Sequence, residues 1–201
     1  LEAEFDTVAE RSADPFYISE ETKKTLHEVY KYWKGKTSSD LATSYMSPET
    51  LTAMKHNMFT PGNYFYNGIG HVTVDYGKVI TYGYSEYVKE IEEELAGMRV
   101  SDANYCKKHA LLEAMLISLR AVIRYAKRYS RLAKEMAEKE QNGTRKAELL
   151  KISENCDRVP ESGARNFYEA CQSFWFIQML IQVESSGHSI SPGRFDQYMY
   201  P

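Results

Sequence analysis

The side chains best suited to chemistry in this chain are two histidines that follow glycines. His71 closes Gly68-Ile69-Gly70-His71, and His188 follows Gly187 with Ser189 beside it. Glycine allows a backbone to approach a ligand closely, and imidazole exchanges a proton near neutral pH. Asn63, in the aromatic loop "PGNYFYNG", adds an amide that both donates and accepts hydrogen bonds. Asn63, His71, His188 and Ser189 together could bind a small hydroxylated molecule. Nothing in this set breaks a strong bond by itself. Gly187 also reads as a helix C-cap, and a cap can aim the side chains that follow it into a cavity.

Other chemistries find less support. His27, His56 and His109 fall within helical patterns among Lys and Glu, as surface or satisfied histidines do. Cys106, Cys156 and Cys171 are an odd number without paired spacing, which predicts a reducing compartment and buried or inert thiols. No spacing suits a metal. Gly68-x-Gly70 precedes no P-loop lysine, Gly77 comes too late for a dinucleotide fingerprint, and there is no nucleophile elbow. The net charge of -3 gives no reason to expect nucleic acid. The most basic stretch, "RAVIRYAKRYSRLAK" (120–134), is interleaved with apolar residues at helical spacing and reads as a solvated helix face. With 43% hydrophobic and 26% charged residues, the composition is that of a globular protein, not a disordered one.

The elements that must position these residues are mostly helices. Ser19 is a predicted N-cap, followed by Glu20 and Glu21, an apolar face of Leu26, Val29, Tyr30 and Trp33, and Gly35 at the C-terminus. Ser47-Pro48-Glu49 opens a second helix. Residues 59–76 read as loop with a short extended piece at His71–Val74. Asp75 caps a short helix through Val79 and Ile80, and Gly83 separates it from "YSEYVKEIEEELAG". Three-four spacing of apolar residues predicts one long helix from Ser101 to about Glu140. "QNGT" (141–144) breaks it, and a return helix with Ala147, Leu150, Ile152 and Cys156 inward ends at Val159-Pro160. The apolar helix from Phe167 comes last, interrupted by Glu169, Gln172, Gln178 and Gln182, and reads as a central buried helix. No transmembrane run is present in the sequence. Pro192-Gly193 suggests a turn, and Arg194 with Asp196 a structural ion pair. The fold class expected is mainly α, in one continuous helical layer. Leu1 without Met, and Pro201 directly after "FDQYMY", suggest a piece of a longer polypeptide.

Two blocks, "GKTSSDLATSYMSPETL…FTPGNYFYNGIGHVTVDYGKV" (35–79) and "FYEACQSFWFIQMLIQVESSGHSISPGRFDQYMYP" (167–201), resemble the glycyl radical enzymes of the pyruvate formate-lyase superfamily. The likeness is closest to the B12-independent glycerol and propane-1,2-diol dehydratases. It covers most of the chain from about Phe16, and "GHSISPGRFDQY" is its most specific motif.

The resemblance implies a ten-stranded α/β barrel of two half-sheets wrapped in helices, with residues 1–201 as the N-terminal helical portion of one catalytic domain. The cysteine loop and the glycyl radical loop of that fold would lie outside this sequence. No role as the catalytic thiol carries over to Cys106, Cys156 or Cys171. In the diol dehydratases, an Asn and a His of the first loop and a His-Ser pair of the second hold the substrate hydroxyls. These match Asn63, His71, His188 and Ser189, with His188 the candidate proton donor. No cofactor is implied in this piece. The whole enzyme would use a protein glycyl radical, installed by an activase with S-adenosylmethionine and an iron–sulfur cluster, and would work as a homodimer. The implied setting is the cytoplasm or a bacterial microcompartment, without nucleic-acid or membrane partners. The competing readings are choline trimethylamine-lyase, where a carboxylate is expected in place of Asn63, another formate acetyltransferase relative, and a non-catalytic helical interaction module.

Overall fold

The computed structural model of the chain describes residues 2–62, 65, 70–185 and 189–200. It groups into two compact units, 1–68 and 69–201.

In the first unit, three helices start where their side-chain caps dictate. Helix α1 (Glu20–Trp33) begins at Ser19, whose hydroxyl accepts from the Thr22 amide. Helix α2 (Ser38–Ser44) was not anticipated, although its signal is legible. Thr37 and Asp40 form a reciprocal capping box, each side chain taking the other's backbone N–H. Helix α3 (Pro48–Lys55) starts at Ser47 with Pro48 in its first turn, as expected. The expected apolar face of α1 is only half covered. Leu26 and Tyr30 are part-buried, whereas Val29 and Trp33 are exposed. What covers the inner half is the N-terminal turn, through buried Phe5 and Val8. The Phe5 ring meets His27 and Tyr30, and Lys23 bridges Asp6 and Glu20 at 2.5 and 2.7 Å. His27 pairs with Glu2 at 2.6 Å, a surface role.

The second unit is built on a long helical hairpin. Helix α6 (Tyr105–Lys139) starts four residues later than the periodicity suggested, and α7 (Gly143–Arg158) returns beside it after a three-residue connection. The pairings run in opposite sense along the two helices. Ala126 packs near Cys156, the Ser130 and Ser153 hydroxyls meet at 3.2 Å, and Lys127 reaches Asp157 at 3.2 Å and Glu161 at 2.7 Å. Along α7, Leu149, Asn155 and Cys156 face inward, while Leu150 is exposed. Ala147 is exposed too. The difference from expectation is one of phase, because the face packed on α6 follows 149, 156 and the part-buried 152. Helix α5 (Tyr84–Gly97) packs on the other end of α6 through Ile91, Leu112 and Leu116. The basic stretch on α6 is solvated and paired: Arg120 meets Glu92 at 2.5 Å.

Helix α4 (Tyr76–Tyr82), capped by Asp75 as expected, and helix α8 (Phe167–Ser185) form the remaining core. Tyr76, Val79 and Ile80 lie against Ala170 and Ile177. The segment 160–164, ahead of α8, ties to the start of α5 and the end of α4. The Pro160 and Glu161 carbonyls accept from the Tyr84 and Ser85 amides at 2.8 and 2.9 Å, and Ala164 N–H donates to Ile80 O at 2.8 Å. These bonds satisfy groups that helix ends would otherwise leave orphaned. A Cβ on Gly163 would stand 2.0 Å from Thr81 O, so only glycine permits this approach.

Helix α8 is not buried all round. Phe167, Trp175 and Val183 are exposed, and the buried face carries Glu169, Ala170, Ser173, Phe176 and Ile177. Glu169 is fully buried yet ionically satisfied. It accepts from Arg165 Nη2 at 2.5 Å, Arg165 Nε at 3.0 Å and Arg165 N–H at 2.8 Å, and Arg158 Nε lies 3.5 Å away. Bonding to Arg165 holds its carboxyl below the usual glutamate range, against the opposing effect of burial. Among the described residues, no helix is long and apolar enough to cross a membrane.

Candidate functional site

Two very short strands bring the glycine-flanked stretches together. Strand β1 (Val72–Thr73) pairs in parallel with β2 (Ile190–Ser191), Val72 opposite Ile190 and Thr73 opposite Ser191. The extended piece expected at 71–74 is therefore real, and its partner is the segment that follows α8. Residues 118 positions apart are placed side by side, on strands about 4.8 Å apart.

His71 and Ser189 occupy equivalent places in this pair, each immediately before its strand. Both have left-handed backbones, with φ of 54° and 56°. For residues other than glycine this conformation costs roughly 1–2 kcal/mol each, and such outliers concentrate at ligand-binding sites. Their side chains are exposed. The structure thus joins two of the four residues singled out from the sequence. Asn63 and His188, with Gly187, lie outside the described residues.

The strand pair is held from behind by contacts that sequence reading missed. The Tyr76 hydroxyl donates to Gln178 Oε1, and Gln178 Nε2 donates to Ile190 O at 3.2 Å. Tyr76 is fully buried, its ring 4.5 Å from that of Phe174, and desolvation pushes its phenol up to about 12. It is a hydrogen-bond donor at any physiological pH. A usable signal existed in Gln178, a polar residue inside the most apolar helix.

From the far side, Gly193 closes the turn after β2 at φ +67°. A Cβ there would meet Thr73 Cγ2 at 2.7 Å and Tyr198 Oη at 2.9 Å. The Pro192-Gly193 turn is as expected, but the residues after it form a short helix, α9 (Phe195–Met199), beginning at Arg194. Among the described residues no ion pair joins Arg194 to Asp196; Arg194 is the N-cap of that helix and Asp196 lies in its first turn.

The thiols take no part. Cys156 is buried between Ala126 and Phe176, and its pKa is pushed up to about 11 by desolvation, so it is inert. Cys171 is part-buried on α8, whereas Cys106 is exposed at the start of α6. Among the described residues, no group of three or more acidic, His or Cys side chains could hold a metal. His56 ends α3, and His109 stacks on Tyr105 within α6. What the arrangement offers is a hydroxyl and an imidazole on one strained, rigidly backed edge. Such an edge presents hydrogen-bond donors and acceptors on one side.

Known proteins share this chain's features. A solved structure concerned with 1,2-propanediol dehydration in Roseburia inulinivorans is 62% identical, with a TM-score of 0.85, over 100% of this chain and 24% of that one. The glycerol-bound B12-independent glycerol dehydratase of Clostridium butyricum is 50% identical, with a TM-score of 0.84, over 100% of this chain and 25% of its own. The (2S)-3-sulfopropanediol dehydratase of Klebsiella oxytoca is 38% identical over 195 residues, 96% of this chain and 24% of that protein. The chain therefore spans about a quarter of the length of the relatives it matches. The family model described as pyruvate formate lyase-like matches residues 1–201, and the chain belongs to that family.

Proposed function

We propose that the protein to which this chain contributes is a glycyl radical dehydratase that eliminates water from a small diol, glycerol or propane-1,2-diol, to give an aldehyde. The observation that carries the reading is the parallel register that sets His71 beside Ser189 on two strained backbones. The 62% identity with a protein of 1,2-propanediol dehydration favours this substrate class over choline. Residues 1–201, both units together, would form part of one catalytic domain and be inactive alone.

The family's radical glycine and cysteine lie outside this chain, and they would supply removal of a hydrogen atom from C1 of the diol and its later return. This chain's residues act on the hydroxyls. Asn63, His71 and Ser189 orient the diol, which limits the reacting C–H to one direction. Expelling hydroxide at neutral pH is unfavourable, so the C2 oxygen needs a proton as it leaves. His188, as an imidazolium, donates it, and water departs. The C1 hydroxyl loses its proton to solvent as it becomes the carbonyl, and His188 regains one from solvent, so the reaction is redox-neutral and proton-balanced. A site that grips hydroxyls also rejects analogues that lack one. The radical would be installed by an S-adenosylmethionine-dependent iron–sulfur activase, in a cytoplasmic homodimer.

The test is anaerobic incubation of the activated full-length protein with glycerol, propane-1,2-diol and choline, followed by detection of aldehyde or trimethylamine. Aldehyde from a diol, reduced in Ser189→Ala and His71→Ala, is the expected result. Trimethylamine from choline would replace the substrate assignment, and full activity in both variants would remove the site assignment.

A further inference from the structure

We infer that Tyr76 and Gln178 are positioning residues for the hydroxyl-binding edge, acting through the carbonyl of Ile190. The inference rests on the diol reading above and adds to it a specific support for Ser189.

Three elements meet in this relay. Tyr76 opens α4, Gln178 lies in the middle of α8, and Ile190 begins β2 directly after Ser189. The Tyr76 hydroxyl is fully buried and cannot turn to water, and its proton goes to Gln178 Oε1. The Ile190 carbonyl, which can only accept, fixes the polarity of the Gln178 amide, and the Tyr76 hydroxyl then occupies the remaining Gln178 Oε1. With the polarity fixed, Gln178 Nε2–H holds Ile190 O at 3.2 Å. Ile190 is also the register partner of Val72, the residue after His71. Ile190 is thereby held from behind by α8, through its carbonyl, and paired at its side with β1. A two-residue strand has too few ladder bonds of its own to hold a left-handed Ser189 in place. Packing alone does not account for the hydroxyl, since a phenylalanine would make the same ring contact with Phe174.

The experiment uses the full-length protein and four variants: Tyr76→Phe, Gln178→Met, Gln178→Glu and the Tyr76→Phe/Gln178→Met double. The glutamate variant still accepts from Tyr76 but loses the donor to Ile190. In the activated enzyme, each is expected to raise KM for propane-1,2-diol about tenfold, the scale of one lost hydrogen bond. kcat should stay within about threefold, because orienting contacts contribute to ground and transition states alike. The double variant should be no worse than Gln178→Met, since links in series do not add. In the unactivated protein, amide exchange at Ile190, Ser191 and Gly193 should rise while the α6–α7 hairpin is unchanged. Unaltered KM and exchange in the single variants, or additive effects in the double, would overturn the relay. If exchange rises as expected but the wild type turns over no diol, the relay stands and the diol reading falls.

Discussion

Replacing Gly163 by alanine would place a methyl carbon 2.0 Å from the carbonyl oxygen of Thr81 and 2.8 Å from its carbonyl carbon. Both are backbone atoms, so no side-chain rotation relieves the clash. The segment 160–164 must move away from α4, and with it go Ala164 N–H to Ile80 O at 2.8 Å and Arg158 Nε to Gly163 O at 3.1 Å. Overpacking of this kind costs roughly 1–3 kcal/mol, and two hydrogen bonds add about 1 kcal/mol each. The expected loss is about 3–5 kcal/mol, borne locally. Gly143→Ala is the matched control, because its Cβ meets nothing within 4 Å and it sits in the first turn of α7. There alanine should be neutral or stabilise by a few tenths of a kcal/mol, up to about 1. Hydrogen exchange of the full-length protein, read on peptides spanning 80–85 and 160–165, checks both. Local opening should increase about 10²–10⁴-fold in Gly163→Ala and not at all in Gly143→Ala. Equal exchange and equal melting temperatures in the two variants would refute the close-approach argument.

Acid stability should depend on Glu169. Its carboxyl is held below the usual range by Arg165, so its contribution is complete above the unfolded-state value near 4.3 and is lost as pH falls through the depressed folded value. Glu169→Gln should cost about 1–3 kcal/mol at pH 7, the scale of charged hydrogen bonds, moderated because Arg165 is half exposed. The gap in melting temperature should narrow below about pH 4; a gap that is constant from pH 7 to 3 would show that the pair contributes nothing. Gly193→Ala should cost about 1–2 kcal/mol for its left-handed backbone. It should also raise KM for the diol by displacing Thr73, the register partner of Ser191; an unchanged KM would separate this turn from the site.

Local signals were sufficient for the helix starts. Ser19, Ser47 and Asp75 each cap the helix that follows, because a hydroxyl or carboxylate acting on an amide three residues away needs no distant partner. The mainly helical class followed from three-four spacing, and the Thr37–Asp40 box was equally readable. Exposure was less so. Which side of α7 turns inward, and why Trp175 of the most apolar helix is exposed while Glu169 is buried, depend on neighbours distant in the chain.

The candidate site divides in the same way. Its chemistry was visible in residue type, as an imidazole and a hydroxyl beside glycines. The sequence could not show that His71 and Ser189 stand at matching places in one parallel pair, since a two-residue strand carries no periodic pattern of its own. Nor could it show the left-handed backbones, or the Tyr76–Gln178 relay, which joins residues 102 positions apart. Hydrogen bonds of such long range form only once the helices have packed. Residue type therefore determined which donors and acceptors this edge presents, and tertiary packing decided where and how firmly they are held.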